Sequence, residues 1–211
     1  AEQREVVNLP IHHYNEAVGG DAGRSGERAG GAVVGRHQTA IEQVADAVDV
    51  VTKTVVDRKV TVVSTLAPGT HYIMANEYLN EVFLNVISNA VKFDTSTRVR
   101  VDVNIEDEAS PQGDSWLISV VDRGRGIPDE RKGVVFERFA TGVTGVKGFG
   151  LGLSIVSAIV QKFGGRIWVE DRIKGDASKG TVFKIMLPKC KPPSPTTGSL
   201  EGTKSGETPA A

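Results

Sequence analysis

Apolar positions recur at helical spacing in three stretches of the chain. Over residues 41–57, Ile41, Val44, Ala45, Val48, Val51 and Val55 fall on one side of a helix. Over residues 77–92 the same holds for Leu79, Val82, Phe83, Val86, Ile87 and Ala90. A third helix is predicted over 151–163, stopped by Gly164-Gly165. Between them the period falls to two. Lys59–Leu66 is a β-branched run closed by Pro68-Gly69 and predicts a strand. Val99, Val101, Val103 and Ile105 alternate with polar residues, as a strand with one buried face does. A turn at Pro111-Gln112-Gly113-Asp114 leads into a more fully buried strand, Trp116–Val121. Arg166–Asp171 and Thr181–Leu187 predict two more strands. The order α-β-α-β-β-α-β-β predicts an α/β protein with a mixed sheet packed on helices.

Both ends differ from this middle. Gly19–Gly35 holds seven glycines and almost nothing to bury, so it reads as a flexible linker. The segment before it, Val6–Val18, is short and ambiguous. The tail beyond Leu187 is rich in Pro, Ser, Thr and Gly and predicts disorder. The expected organisation is an N-terminal segment with linker over 1–40, a folded domain over 41–188 and a disordered tail over 189–211.

Composition narrows the function classes. The 211 residues are 39% hydrophobic and 24% charged, enough for one domain with a core. Twenty-five basic and 26 acidic residues give a net charge of -1, so no cationic field calls for nucleic acid. A lone cysteine, Cys190, excludes an internal disulfide framework and a cysteine-based zinc site. No apolar run reaches the roughly 18 residues that span a bilayer, and no signal peptide opens the sequence.

Four clusters carry candidate chemistry. Asn85 and Asn89 are four apart on the second helix and project from one face, with Lys92 a turn further and Phe93 beside it. An amide oxygen suits magnesium and a lysine neutralises phosphate, though two polar residues on a solvated face look the same. Asp122-Arg123-Gly124-Arg125-Gly126-Ile127-Pro128 follows a buried strand. A carboxylate there can accept a hydrogen bond from an exocyclic amine while the glycines admit a ligand, and an ordinary Asp-Gly turn has the same pattern. The flanking arginines read as surface charge. Phe136 and Phe139 read as core anchors fixing one end of a loop. Gly148, Gly150 and Gly152, with Leu151 and Leu153, open the third helix. Such a turn presents free N–H groups and suits an anion, or is a plain flexible loop; residues 139–148 are composed like a mobile lid. The P-loop pattern is absent, and the Rossmann context is wrong.

In this order, and with Gly180-Thr181 before the last strand, the clusters resemble the nucleotide-binding domain of two-component sensor histidine kinases, within the GHKL ATPase superfamily. The resemblance covers roughly residues 41–188. It implies a two-layer α/β sandwich of the Bergerat type, binding ATP and Mg2+ under a lid. It implies Asn89 on the metal, Asn85 and Lys92 at the phosphates, and Phe93 flanking the nucleotide. It implies Asp122 on the adenine amine, Gly124, Gly126 and Ile127 around the base, and Thr181 nearby. Lys147, Gly148, Gly150, Leu151, Gly152 and Leu153 would form the lid and the start of the helix over the phosphates.

In the hydrolysing branches of the superfamily the position of Asn85 is usually a glutamate that activates water. An asparagine cannot serve as a base, which fits transfer to a histidine imidazole. The partners implied are a dimerisation and phosphoacceptor domain and a response-regulator receiver domain, with no nucleic acid. The domain itself would be cytoplasmic, in a full-length homodimer that the resemblance allows to be membrane-anchored. Two features depart from the pattern. Thr141 stands where many relatives have arginine, leaving Lys147 or Arg138 as substitutes. The histidines at 12, 13 and 37 lack an acceptor-helix context, and His71 beside a turn reads as a surface residue. The acceptor segment is therefore expected upstream of Ala1. The alternatives are a serine kinase of the same superfamily and a nucleotide-binding module without catalysis.

Overall fold

A single helix fixes the geometry of the protein. Its N-cap, Asn76, accepts a hydrogen bond from the Tyr78 N–H at 3.0 Å through its side chain, and Glu77 complements the positive helix end. From there α2, Glu77–Phe93, buries Leu79, Val82, Phe83, Val86, Ile87, Ala90 and Val91. Each large apolar side chain so buried contributes roughly 1.5–3 kcal/mol. At the far end the Arg58 guanidinium donates to the carbonyls of Val91 at 3.2 Å and Asp94 at 2.5 Å, occupying acceptors a helix end leaves free.

The computed structural model describes residues 36–110, 113–137 and 152–193. Around α2 lie β1 (Arg36–Thr39), α1 (Ala40–Thr54), β2 (Lys59–Ser64) and β3 (Tyr72–Ala75). After α2 come β4 (Arg98–Ser110), β5 (Gly113–Val121), the short α3 (Asp129–Lys132), α4 (Gly152–Lys162), β6 (Arg166–Ile173) and β7 (Asp176–Pro188). The main sheet runs β2-β4-β5-β7-β6, with β2 and β4 parallel and the other pairs antiparallel. It is therefore the mixed sheet that the sequence pattern predicts. Val99, Val101, Val103, Ile118, Val120, Phe183, Ile185 and Leu187 cover its inner face and join one core with the buried residues of α1, α2 and α4. Gly164 ends α4 in the left-handed region, φ 72°, and the Gly165 N–H donates to the Val160 carbonyl at 2.9 Å.

Several features depart from the sequence-based expectation, among them β3 and the short α3, which the predicted element order lacks. Arg36–Thr39, inside the expected N-terminal segment, forms β1 and pairs antiparallel with β3 as a separate two-stranded sheet. Four residues beside a glycine-rich run are too few to show a period. At the other end, the first residues of the expected disordered tail are held in place. The Lys189 N–H donates to Asp114, the Cys190 N–H donates to Tyr72, each at 3.0 Å, and the Lys189 ammonium stands 4.2 Å from the Trp116 ring centroid. His71 is half-buried rather than a plain surface residue. It adopts φ 53°, packs edge-on against Trp116 at 4.7 Å and accepts the Ala40 N–H on its carbonyl.

Candidate functional site

Asp122 is the first residue past β5 and is 5% exposed. Its backbone N–H donates to the Thr181 carbonyl at 2.9 Å, which extends the β5–β7 ladder by one rung. Its side chain turns back onto the same rung. Oδ1 accepts the Gly124 N–H at 2.9 Å and the Thr181 N–H at 3.0 Å. Burial raises its pKa above the ordinary carboxylate value. The two N–H donors and Arg172 oppose that rise, and Asp94 adds to it. The result is a fixed carboxylate with one oxygen locked by the backbone.

The glycines around it permit close approach of three segments. A Cβ on Gly124 would stand 2.7 Å from the Phe93 carbonyl oxygen, where the turn meets the end of α2. Gly126 adopts φ 68°, and a Cβ there would fall 1.6 Å from the Ala177 carbonyl oxygen. Ile127 then packs against the core. Gly180 also presses on the site, since a Cβ on it would lie 2.3 Å from the Asp122 carbonyl oxygen. The resemblance points to Thr181 and gives Gly180 no role. A lone glycine before a threonine carries no signal that it lies against the backbone of Asp122.

The α2 side of the site is built from the helix period. Asn85 and Asn89 are both half-buried, and Lys92 in the last turn is exposed. The Asn85 amide donates to the Glu81 carbonyl at 2.8 Å, and its Oδ1 faces the start of α4, where a Cβ on Gly152 would stand 2.8 Å away. The glycine at the head of α4 thus lets the two helices meet at Asn85. Leu153 and Phe136 anchor against the core, as Phe136 was expected to do. Phe93 carries two cations on its ring, the Arg125 guanidinium at 4.7 Å and the Lys92 ammonium at 5.5 Å from the centroid. Reading Arg125 as surface charge alone misses this stack. Thr181 is 3% exposed.

The structure thus gathers Asp122, Gly124, Gly126 and Thr181 at one strand end. It joins Phe93 to that turn and Asn85 to Gly152. Arg138, Phe139, Thr141, Lys147, Gly148, Gly150 and Leu151 lie outside the described residues. Among the described residues no three His, Cys, Asp or Glu side chains cluster as a metal cage. No helix among them is long and apolar enough to cross a membrane.

Residues 75–191 match a family model described as histidine kinase-, DNA gyrase B-, and HSP90-like ATPase. The chain is similar to the sensor histidine kinase AruS of Pseudomonas aeruginosa, 36% identical over 135 residues, covering 60% of this chain and 13% of AruS. It is also similar to the signal transduction histidine-protein kinase/phosphatase MprB of Mycolicibacterium vanbaalenii, 36% identical over 113 residues, covering 52% of this chain and 22% of that protein. The chain thus spans less than a quarter of either curated relative. Among solved structures it superposes on the mycobacterial sensor histidine kinase MprB with a TM-score of 0.61 and 28% identity, over 74% of this chain and 98% of that one.

Proposed function

The chain belongs to the histidine kinase-, DNA gyrase B- and HSP90-like ATPase family, and from that premise we propose that it is the ATP-binding catalytic domain of a sensor histidine kinase. The observation that carries this reading is the buried Asp122 carboxylate, pinned by Gly124 and Thr181 with one oxygen held by the backbone. Oδ2 is then the oxygen that accepts the amine of adenine. A fixed acceptor selects a donor at that position of the purine and rejects a carbonyl, because two acceptors would face each other without a proton between them.

The phosphates run from the base toward α2, where Lys92 offsets their charge and the head of α4 offers backbone N–H groups. Magnesium fits the donor chemistry of this helix. It keeps most of its shell as water and phosphate oxygens, so one neutral amide oxygen from Asn89 suffices without a carboxylate cage. When bound it would neutralise charge on the β- and γ-phosphates.

The reaction proposed is in-line transfer of the γ-phosphoryl group to a histidine of a dimerisation and phosphoacceptor domain, for relay to a receiver domain. The bond from Pγ to the bridging oxygen breaks, ADP leaves, and a P–N bond forms at the imidazole. The imidazole is already nucleophilic near neutral pH, so no base is needed where Asn85 stands. Asn85 has its amide N–H on the Glu81 carbonyl and its oxygen against Gly152, an arrangement that positions rather than abstracts a proton. The full-length protein is proposed to be a homodimer that holds this domain on the cytoplasmic side of a membrane. The test is incubation of the chain with [γ-32P]ATP and the acceptor hairpin of a similar sensor kinase. The reading expects acid-labile, base-stable label on histidine. Label on serine would place the chain in the serine-kinase branch, and tight ATP binding with no label would make it a binding module.

A further inference from the structure

We propose that Arg125 is a nucleotide-binding residue whose guanidinium, held on the Phe93 ring, meets the phosphates beside Lys92. The inference rests on reading the site as an ATP pocket. Arg125 lies in the turn that carries Asp122 and is exposed, so sequence alone gives it only the standing of a surface charge. The structure ties it to the end of α2. Its backbone N–H donates to the Phe93 carbonyl at 3.4 Å, and its guanidinium carbon stands 4.7 Å from the Phe93 ring centroid. The Lys92 ammonium lies 5.5 Å from the same centroid. Two cations sharing one ring at a helix end raise the local potential, and an anion brought between them gains from both.

The backbone leaves this arrangement little room to shift. Gly124, one residue before Arg125, is pressed so closely on the Phe93 carbonyl that a Cβ would stand 2.7 Å from its oxygen. The turn therefore keeps its distance from α2. Asp122 and Arg125 are three residues apart, a span of at most about 10 Å. A nucleoside triphosphate is longer than that, so one molecule can reach both. A planar guanidinium presents paired N–H donors that match two phosphate oxygens, whereas a ring-stacked lysine supplies only a point charge. Asp122 would read the base, and Arg125 with Lys92 would read the phosphates.

The test is calorimetric titration of the 211-residue chain with adenosine, ADP and ATP, at low and at moderate salt. Wild type is compared with Arg125→Gln and Arg125→Lys, with melting temperatures as a check on folding. Arg125→Gln is expected to bind ATP and ADP about tenfold more weakly while adenosine is unchanged, and to show a shallower dependence of ATP affinity on salt. Arg125→Lys, which keeps the charge without the planar fork, is expected to fall between the two. ATP affinity of Arg125→Gln equal to wild type would overturn the proposal, and so would an equal loss for adenosine and ATP. Failure of the wild type to bind any of the three ligands would instead remove the ATP-pocket reading on which the proposal stands.

Discussion

The side chain of Asp122 accepts the backbone N–H of Thr181 at 3.0 Å, although the two residues are 59 positions apart. The same two residues also pair through the Asp122 N–H and the Thr181 carbonyl, so a strand end and its buried carboxylate are set by one rung. The carboxylate proposed to read the base is thus tied to the sheet rather than to a loop.

That arrangement predicts different outcomes for fold and binding in Asp122→Asn. Asparagine keeps an oxygen for the Gly124 and Thr181 amides, so the fold survives. It adds an NH2 group where an acceptor is needed, so ATP affinity is expected to drop by about 50-fold or more. Calorimetry and thermal melts on the same preparation check both halves.

A pH dependence follows from the burial of Asp122. Its folded pKa is raised above 3.8, so its contribution to stability is present below 3.8 and is lost as pH rises through the folded value. Adenine needs the ionised acceptor, so ATP affinity is expected to fall as the solution is acidified into that window, while this residue's own effect on stability moves the opposite way. The melting temperature of Asp122→Asn, measured relative to wild type, is therefore expected to be higher near neutrality and to lose that advantage toward pH 4. An advantage that does not change with pH would contradict the burial argument.

Gly126→Ala is expected to destabilise the domain by about 2–4 kcal/mol, because the new methyl would meet the Ala177 carbonyl and the backbone is already at positive φ. Denaturant unfolding gives the value. Gly113→Ala is a useful control, having positive φ but no atom within 4 Å of the added carbon, and it is expected to cost about 1 kcal/mol.

Gly152→Ala separates positioning from stability. A methyl at the head of α4 would crowd the Asn85 oxygen, which a Cβ would approach to 2.8 Å. Alanine also favours the helix by up to about 1 kcal/mol, so the melt is expected to change little. The phosphotransfer rate is expected to fall several-fold as the Asn85 amide is displaced. Asn89→Ala is expected to lose most of the gain in ATP affinity that magnesium gives, with metal-free ATP affinity nearly unchanged; titrations with and without EDTA check it.

Much of this was legible in the chain. The apolar period of α2 predicts which of its residues are buried and leaves Asn85, Asn89 and Lys92 off that stripe, where the structure has them half-buried or exposed. The alternation Val99, Val101, Val103 and the run Trp116–Val121 predict two strands, and the structure pairs them antiparallel as β4 and β5 in a register that keeps the apolar set inward. Other features were not legible. The four residues of β1 are too short to show alternation. The role of Gly180 depends on where the carbonyl of Asp122, distant in sequence, comes to rest. The stack of Arg125 on Phe93 needs a helix end and a turn to meet, which no local pattern encodes. The Arg58 contacts that close α2 are likewise long-range.

The most direct measurement compares ATP with inosine triphosphate on the wild-type chain by calorimetry. The two ligands differ in the exocyclic group that Asp122 would meet, an amine in one and a carbonyl in the other. The account predicts clear binding of ATP and at least about tenfold weaker binding of inosine triphosphate, with the difference vanishing in Asp122→Asn. Equal affinity of the wild type for both nucleotides would contradict the assignment of Asp122 as the base reader and, with it, the orientation of everything else in the site.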